Sequence, residues 1–155
     1  MYKFSLLIAL ACFCFSTFAQ KNGLPKTEDV TLAKKLAKKY EDAKIVALES
    51  SDIFEFGYDA KTKNVTVTEK NYERLFSVKT NAKILQTKFY DATSEVKNVT
   101  VKYRNNRRVT IDPKYENYNQ SGIFYSDAKV CYFPLNFKTQ GFQYQVDESF
   151  DQNPL

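Results

Sequence analysis

The 155-residue chain contains no histidine and no tryptophan. Without histidine, neither a Ser-His-Asp nor a Cys-His arrangement can assemble within it. An ordinary zinc shell fails for the same reason, because isolated cysteines without histidine cannot complete a tetrahedral set of nitrogen and sulfur ligands. Cysteine is scarce. Cys12 and Cys14 lie in an N-terminal apolar run, which leaves Cys131 alone in the rest of the chain. Once that run is removed, no intrachain disulfide can form, even in an oxidising compartment. Cys131 therefore reads as a small buried apolar residue. The EF-hand calcium pattern is absent too. A net charge of +5 is a mild excess and not the dense basic signature of a nucleic-acid binder. No low-complexity linker or internal repeat divides the chain. These absences leave no catalytic residue, metal site or cofactor to assign, and stability has to come from packing. The supply for packing is good, with 13 Phe and 11 Tyr.

The first twenty residues carry the clearest pattern. Met1-Tyr2-Lys3 is a short leader with one positive charge, Phe4 to Phe15 is almost wholly apolar, and Thr17-Phe18-Ala19 places small residues where a signal peptidase reads them. That is the layout of a secretory signal peptide, with Gln20 as the first mature residue. The run is shorter than the roughly 20 residues needed to span a bilayer, and no second apolar segment follows. Lipid attachment at Cys12 is the alternative, but Ala9-Leu10-Ala11 lacks the large aliphatic residue such cleavage uses three positions upstream. The expectation is soluble export to a periplasmic or extracellular location. The chain then divides into a signal peptide (1–19), a leader and amphipathic helix (20–40) and a β module (41–155).

Thr27 is the expected N-cap of the helix, with Glu28 and Asp29 in its first turn, where carboxylates favour the helix dipole. Val30, Ala33, Leu36, Ala37 and Tyr40 recur at helical spacing, while Lys34, Lys35, Lys38 and Lys39 fall on the solvated face. Beyond Tyr40 the period becomes alternating. Phe54, Phe56 and Tyr58 share one side, a polar turn follows, and Val65 and Val67 alternate with threonines, predicting a hairpin. Tyr72 to Val78 continues it, and Ile84 to Tyr90 is a further strand candidate. Val99 to Tyr103 and Val109 to Ile111 flank Asn105-Asn106, which can supply the positive φ angles of a tight turn. Lys114 to Gly122 reads as a loop, Ile123 to Phe133 as a strand closed by Pro134, and Phe142 to Val146 as the cleanest alternation in the chain. The fold class expected is mostly β, an antiparallel β-sandwich with one N-terminal amphipathic helix. A curved sheet wrapped on that helix is the competing architecture.

Four constellations bear on function. Ser94 with Lys97 and Ser126 with Lys129 match the Ser-x-x-Lys spacing of serine acyl-enzymes, but in β-prone sequence residues three apart point to opposite faces. Asp147, Glu148 and Asp151 form an acidic cluster of the kind that could supply paired carboxylates, although acids at a strand end are more often solvated. Arg104, Arg107 and Arg108 sit with Lys102 at a presumed hairpin tip, where they could grip an anion or simply discourage edge pairing. Tyr115, Tyr118 and Tyr125 surround a polar loop and could stack on sugar rings or anchor a protein partner.

Ser121 to Leu135 (SGIFYSDAKVCYFPL), followed by Gly141 to Val146 (GFQYQV), resembles the bacterial domain-of-unknown-function family 3857. That family precedes transglutaminase-like domains in exported proteins, many from Bacteroidota. The shared features are the Asp-x-Lys strand, the Phe-Pro-Leu stop, and a glycine followed by an alternating tyrosine strand. The resemblance implies an envelope β-sandwich without catalytic residues of its own, an accessory or interaction module whose partner is a downstream or separate transglutaminase-like domain of thiol-peptidase type. On this view the chain is a candidate for truncation at its C-terminal end. A stand-alone module binding an envelope glycan, peptide or protein is the alternative; no nucleic-acid partner is expected. Docking is expected at Gly141 to Phe150, if that last strand is a sheet edge with unpaired backbone groups.

Overall fold

The computed structural model describes residues 23–61, 63–118 and 127–152. The signal-peptide segment, Tyr125 and Ser126 lie outside them. Within them one helix, α1 (Thr27–Lys39), precedes eight strands: β1 (Ile45–Asp59), β2 (Asn64–Ser77), β3 (Ala82–Tyr90), β4 (Ser94–Tyr103), β5 (Arg108–Val109), β6 (Lys114–Asn117), β7 (Lys129–Phe137) and β8 (Gln143–Gln152). They form two antiparallel sheets, one of five strands in the order β1-β2-β8-β4-β5 and one of three in the order β3-β7-β6. The fold is mostly β, and the sandwich expected from the alternation is present.

One apolar cluster joins the two inner faces. Leu75, Val101, Tyr144 and Val146 from the large sheet meet Ala82, Phe133, Leu135 and Phe137 from the small one, and Phe142 leads into β8 beside them. The Phe137 and Tyr144 rings meet edge to face at 4.9 Å, and the Tyr144 hydroxyl donates to the Asn136 carbonyl at 3.1 Å. The turns are built where the chain can take positive φ: Lys63 between β1 and β2, Asn81 between β2 and β3, and Asn106 between β4 and β5. Of the expected Asn-Asn pair, only Asn106 adopts the left-handed conformation.

The helix lies on the outer face of the large sheet, where Ala33 meets Phe76 and Val78, flanked by Leu36, Ala37, Val46 and Leu48. Thirteen residues are too few for a helix to hold alone in water, so this apolar seat is what keeps it. Tyr40 does not join the seat and stays exposed. Nor is Thr27 the N-cap. Lys26 occupies that position, and its backbone N–H donates to the Asp29 carboxylate at 2.8 Å. Gly141, at φ +81°, turns the chain into β8 beneath the helix start, where an added Cβ would lie 3.0 Å from the Asp29 backbone carbon.

Three further expectations change. Gly141 to Phe150 is not a sheet edge: β8 pairs with β2 on one side and β4 on the other, so its backbone groups are already used. Pro134 does not close its strand, because β6 accompanies β7 only over Lys129–Tyr132. Pro134 thus falls where β7 has a neighbour on one side only, the setting in which a strand tolerates proline. Finally, Lys114–Asn117 is a short strand and not loop. Four exposed, polar-rich residues carry too little alternation to announce it.

Candidate functional site

The two sheets are unequal in length, and this asymmetry builds the site. β1 and β2 run for 15 and 14 residues, whereas β3 has 9 and β6 only 4. Side chains alternate between faces along a strand, and register places Phe54, Phe56 and Tyr58 of β1 beside Glu69, Val67 and Val65 of β2. Glu69 faces the small sheet, since it accepts from Lys88 of β3. The three aromatic rings are therefore on the inner face of the large sheet, beyond the reach of its cover. They are exposed by 53%, 77% and 66%, and Val65 by 47%. The result is an apolar shelf on an edge strand, of the kind that marks interaction surfaces on soluble folds.

Where the shelf enters the sandwich, the sheets part around a cavity of about 400 Å³ lined by Val67, Glu69, Lys88, Tyr90, Phe150 and Gln152, among others. A smaller neighbour of about 170 Å³ is lined by Asp52, Asn71, Glu73, Gln86, Lys88 and Glu148. Glu69 is buried and accepts from Lys88 Nζ at 2.5 Å, Asn71 Nδ2 at 2.9 Å and Gln152 Nε2 at 2.9 Å. Burial pushes its carboxyl up, but the bonds from Lys88 and Asn71 outweigh burial and hold it below the usual carboxylate range. Lys88 also lies 5.2 Å above the Phe150 ring. Gln86 Nε2 donates to Glu73 at 2.8 Å. Glu148 is different: burial raises its carboxyl, Lys88 pulls it back in part, and the charges of Glu73 and Glu69 raise it further.

Cys131 is buried on the inner face of β7. Its thiol is raised chiefly by burial and then by Glu148, against a hydrogen bond from Tyr115. A raised thiol keeps its proton at neutral pH and is a poor nucleophile.

The residues singled out in sequence do not converge. Tyr115 turns to the inside of the small sheet, toward Cys131. Tyr118 sits edge-on to Phe89 at 4.9 Å, and Phe89 is paired with Val130, on the other side of that sheet. They lie on opposite faces because three positions along an extended chain is an odd step, so no shared stacking platform forms. Tyr125 lies outside the described residues. Arg104 is committed to the fold, bridging to Asp29 and, at 2.9 Å, to Glu28 at the start of α1. Arg107 and Arg108 are exposed at the β4–β5 turn. Ser94 donates to Asp91 at 2.9 Å, while Lys97 pairs with Glu95 and Asp151, so the Ser-x-x-Lys pair does not meet. The acidic cluster also splits. Asp147 pairs with Lys102 on the outer face, Asp151 accepts from Thr68, and Glu148 points inward among the cavity residues.

Glu69, Asn71, Glu73, Gln86 and Lys88 escaped the sequence reading. They had a signal: polar residues at every second position of two strands, where an apolar inner face would otherwise continue. Among the described residues, no group of three or more Cys, Asp or Glu side chains is arranged to hold a metal ion. Nor, among the described residues, is any helix long and apolar enough to cross a membrane. Compared with known proteins, the chain matches no family model, no curated protein and no solved structure. The likeness of residues 121–135 and 141–146 to family 3857 therefore stands on those residues alone.

Proposed function

We propose that this chain is an exported, non-catalytic interaction module that docks a partner protein on the shelf at the open end of its sandwich. The observation that carries this reading is the row Phe54, Phe56 and Tyr58, three aromatic side chains left uncovered on an edge strand. Burying such rings against a partner is the largest favourable term the surface has to offer. A non-catalytic role is supported by the missing histidine and by a lone downstream thiol that keeps its proton. The family resemblance makes a transglutaminase-like domain the first partner to try.

The test is site-specific photo-crosslinking in producing cells, with a benzophenone amino acid at position 56 and, separately, at Lys83 on the far sheet. Docking predicts a discrete protein adduct from position 56 and none from position 83. Equal adducts at both positions, or none at 54, 56 and 58, would overturn it. An envelope glycan is the second reading, favoured by the exposure of Phe56 and Tyr58, whose rings could stack on sugars. It predicts that soluble glycan, and not protein, occupies the shelf.

A further inference from the structure

We propose that the occupant of the shelf is an extended segment with alternating apolar and basic residues, which adds to β1 as a further strand of the large sheet. This inference rests on the docking reading and names its partner's chemistry.

Among the described residues β1 pairs with β2 alone, so none of them forms a strand on the other side of this 15-residue strand. Natural edge strands are usually blunted by lysine, proline, shortness or bulges. Ile45–Asp59 contains no lysine, arginine or proline, and its one register shift lies at Ala47/Glu49, leaving Glu49 to Asp59 regular. A strand can pair along that stretch by main-chain hydrogen bonds.

Charge decides which strand. The protein is basic overall, yet β1 carries Glu49, Asp52, Glu55 and Asp59 and no cation of its own. Arg74 and Lys70 meet Glu49 and Glu55 from the β2 side, but both carboxylates remain more than half exposed. Three of the four acids share a face. Glu49, Glu55 and Asp59 fall on the outer face with Ile53, while Phe54, Phe56 and Tyr58 fall on the inner one with Asp52, whose carboxylate already accepts from Asn71 Nδ2 at 2.6 Å. An added strand would meet aromatic rings on one face and carboxylates on the other. Its own alternation of apolar and basic side chains, with period two, matches that surface. A second copy fits poorly, because antiparallel β1–β1 pairing would set this all-acidic strand against itself, and like charges across a ladder repel.

The test is binding of the full chain to three ten-residue peptides: alternating valine and lysine, alternating valine and glutamate, and the lysine peptide N-methylated at every residue, so that neither edge keeps its ladder donors. The lysine peptide should bind, the glutamate peptide roughly tenfold or more weaker, and N-methylation should abolish binding by removing ladder donors. Glu55→Lys together with Asp59→Lys should reverse the order of the first two. Equal binding of the lysine and glutamate peptides, lost in Phe56→Lys, would sink the charge inference and leave the docking reading standing. Unchanged binding of the N-methylated peptide would exclude strand addition. Binding of no peptide, or a β1-dependent dimer in sedimentation, would overturn the proposal. The docking reading itself falls only on the crosslinking result, through equal adducts at positions 56 and 83 or none at 54, 56 and 58.

Discussion

Glu69 and Glu148 are two glutamates of one sheet face, diagonal neighbours across β2 and β8, and their environments drive them apart. Glu69 has three donors within 2.9 Å and is held low. Its contribution to stability is present above the ordinary glutamate range and is lost as pH falls through its lowered value. Glu148 has the opposite sign. Its raised carboxyl binds a proton more tightly folded than unfolded, so folding is favoured in acid and loses that advantage as pH rises from the ordinary range through the folded value. Glu148→Gln should remove this decline. Denaturant titration is expected to find the variant more stable than the native protein at pH 7 and little different at pH 4. A variant less stable at pH 7 would mean that the Glu148 carboxylate is needed by the fold. Cys131 sits in the same environment, and the same burial that raises Glu148 keeps its thiol protonated.

Among the elements, β8 is enclosed where an edge strand was expected, and the edge falls to β1. β8 has the cleanest alternation because both of its flanks are paired and its inner face carries the core, with Tyr144 and Val146 buried and Phe150 almost fully so. β1 has nearly as regular an alternation and almost no burial. A lysine at each position separates the two cases. Tyr144→Lys places an unpaired charge in the central strand and should cost more than about 4 kcal/mol. Phe56→Lys removes an exposed ring and should change stability by no more than about 0.5 kcal/mol. Thermal denaturation of the two variants checks the contrast, and similar losses in both would mean that the shelf is part of the core. The helix is a third kind of element, held by its seat on Phe76 and Val46 and by the Arg104 bridge to its first turn. That bridge is the work of a basic residue that sequence had offered for ligand binding.

For the molecule as a whole, a long five-stranded sheet half covered by a short three-stranded one leaves one end open, and the interaction proposal depends on that end. The proposal also places the protein outside the cytoplasm, since its leader has the three-part layout of a secretory signal. Mature protein from the envelope fraction should begin at Gln20, as read by N-terminal sequencing and intact mass. Retention of Met1, or a lipid on Cys12, would contradict soluble export.

The mostly β class, the helix at Thr27–Lys39, the β1–β2 and β4–β5 hairpins and the absence of histidine chemistry were all determined by the sequence alone. Each depends on local periodicity, on turn residues such as Asn106, or on which atoms the chain contains at all. What lies opposite what was decided only in three dimensions. Alternation tells that Phe54, Phe56 and Tyr58 share a face, and it tells the same of Tyr144 and Val146, but no local pattern records whether a second sheet reaches that face. Strand order and relative sheet length set the cover. They leave β1 bare, enclose β8 on both flanks, separate Tyr115 from Tyr118, and bring Glu69, Lys88 and Glu148 from strands far apart in sequence to two neighbouring cavities that share Lys88. Burial is a property of the partner layer as much as of the strand, so a sequence read one strand at a time cannot contain it.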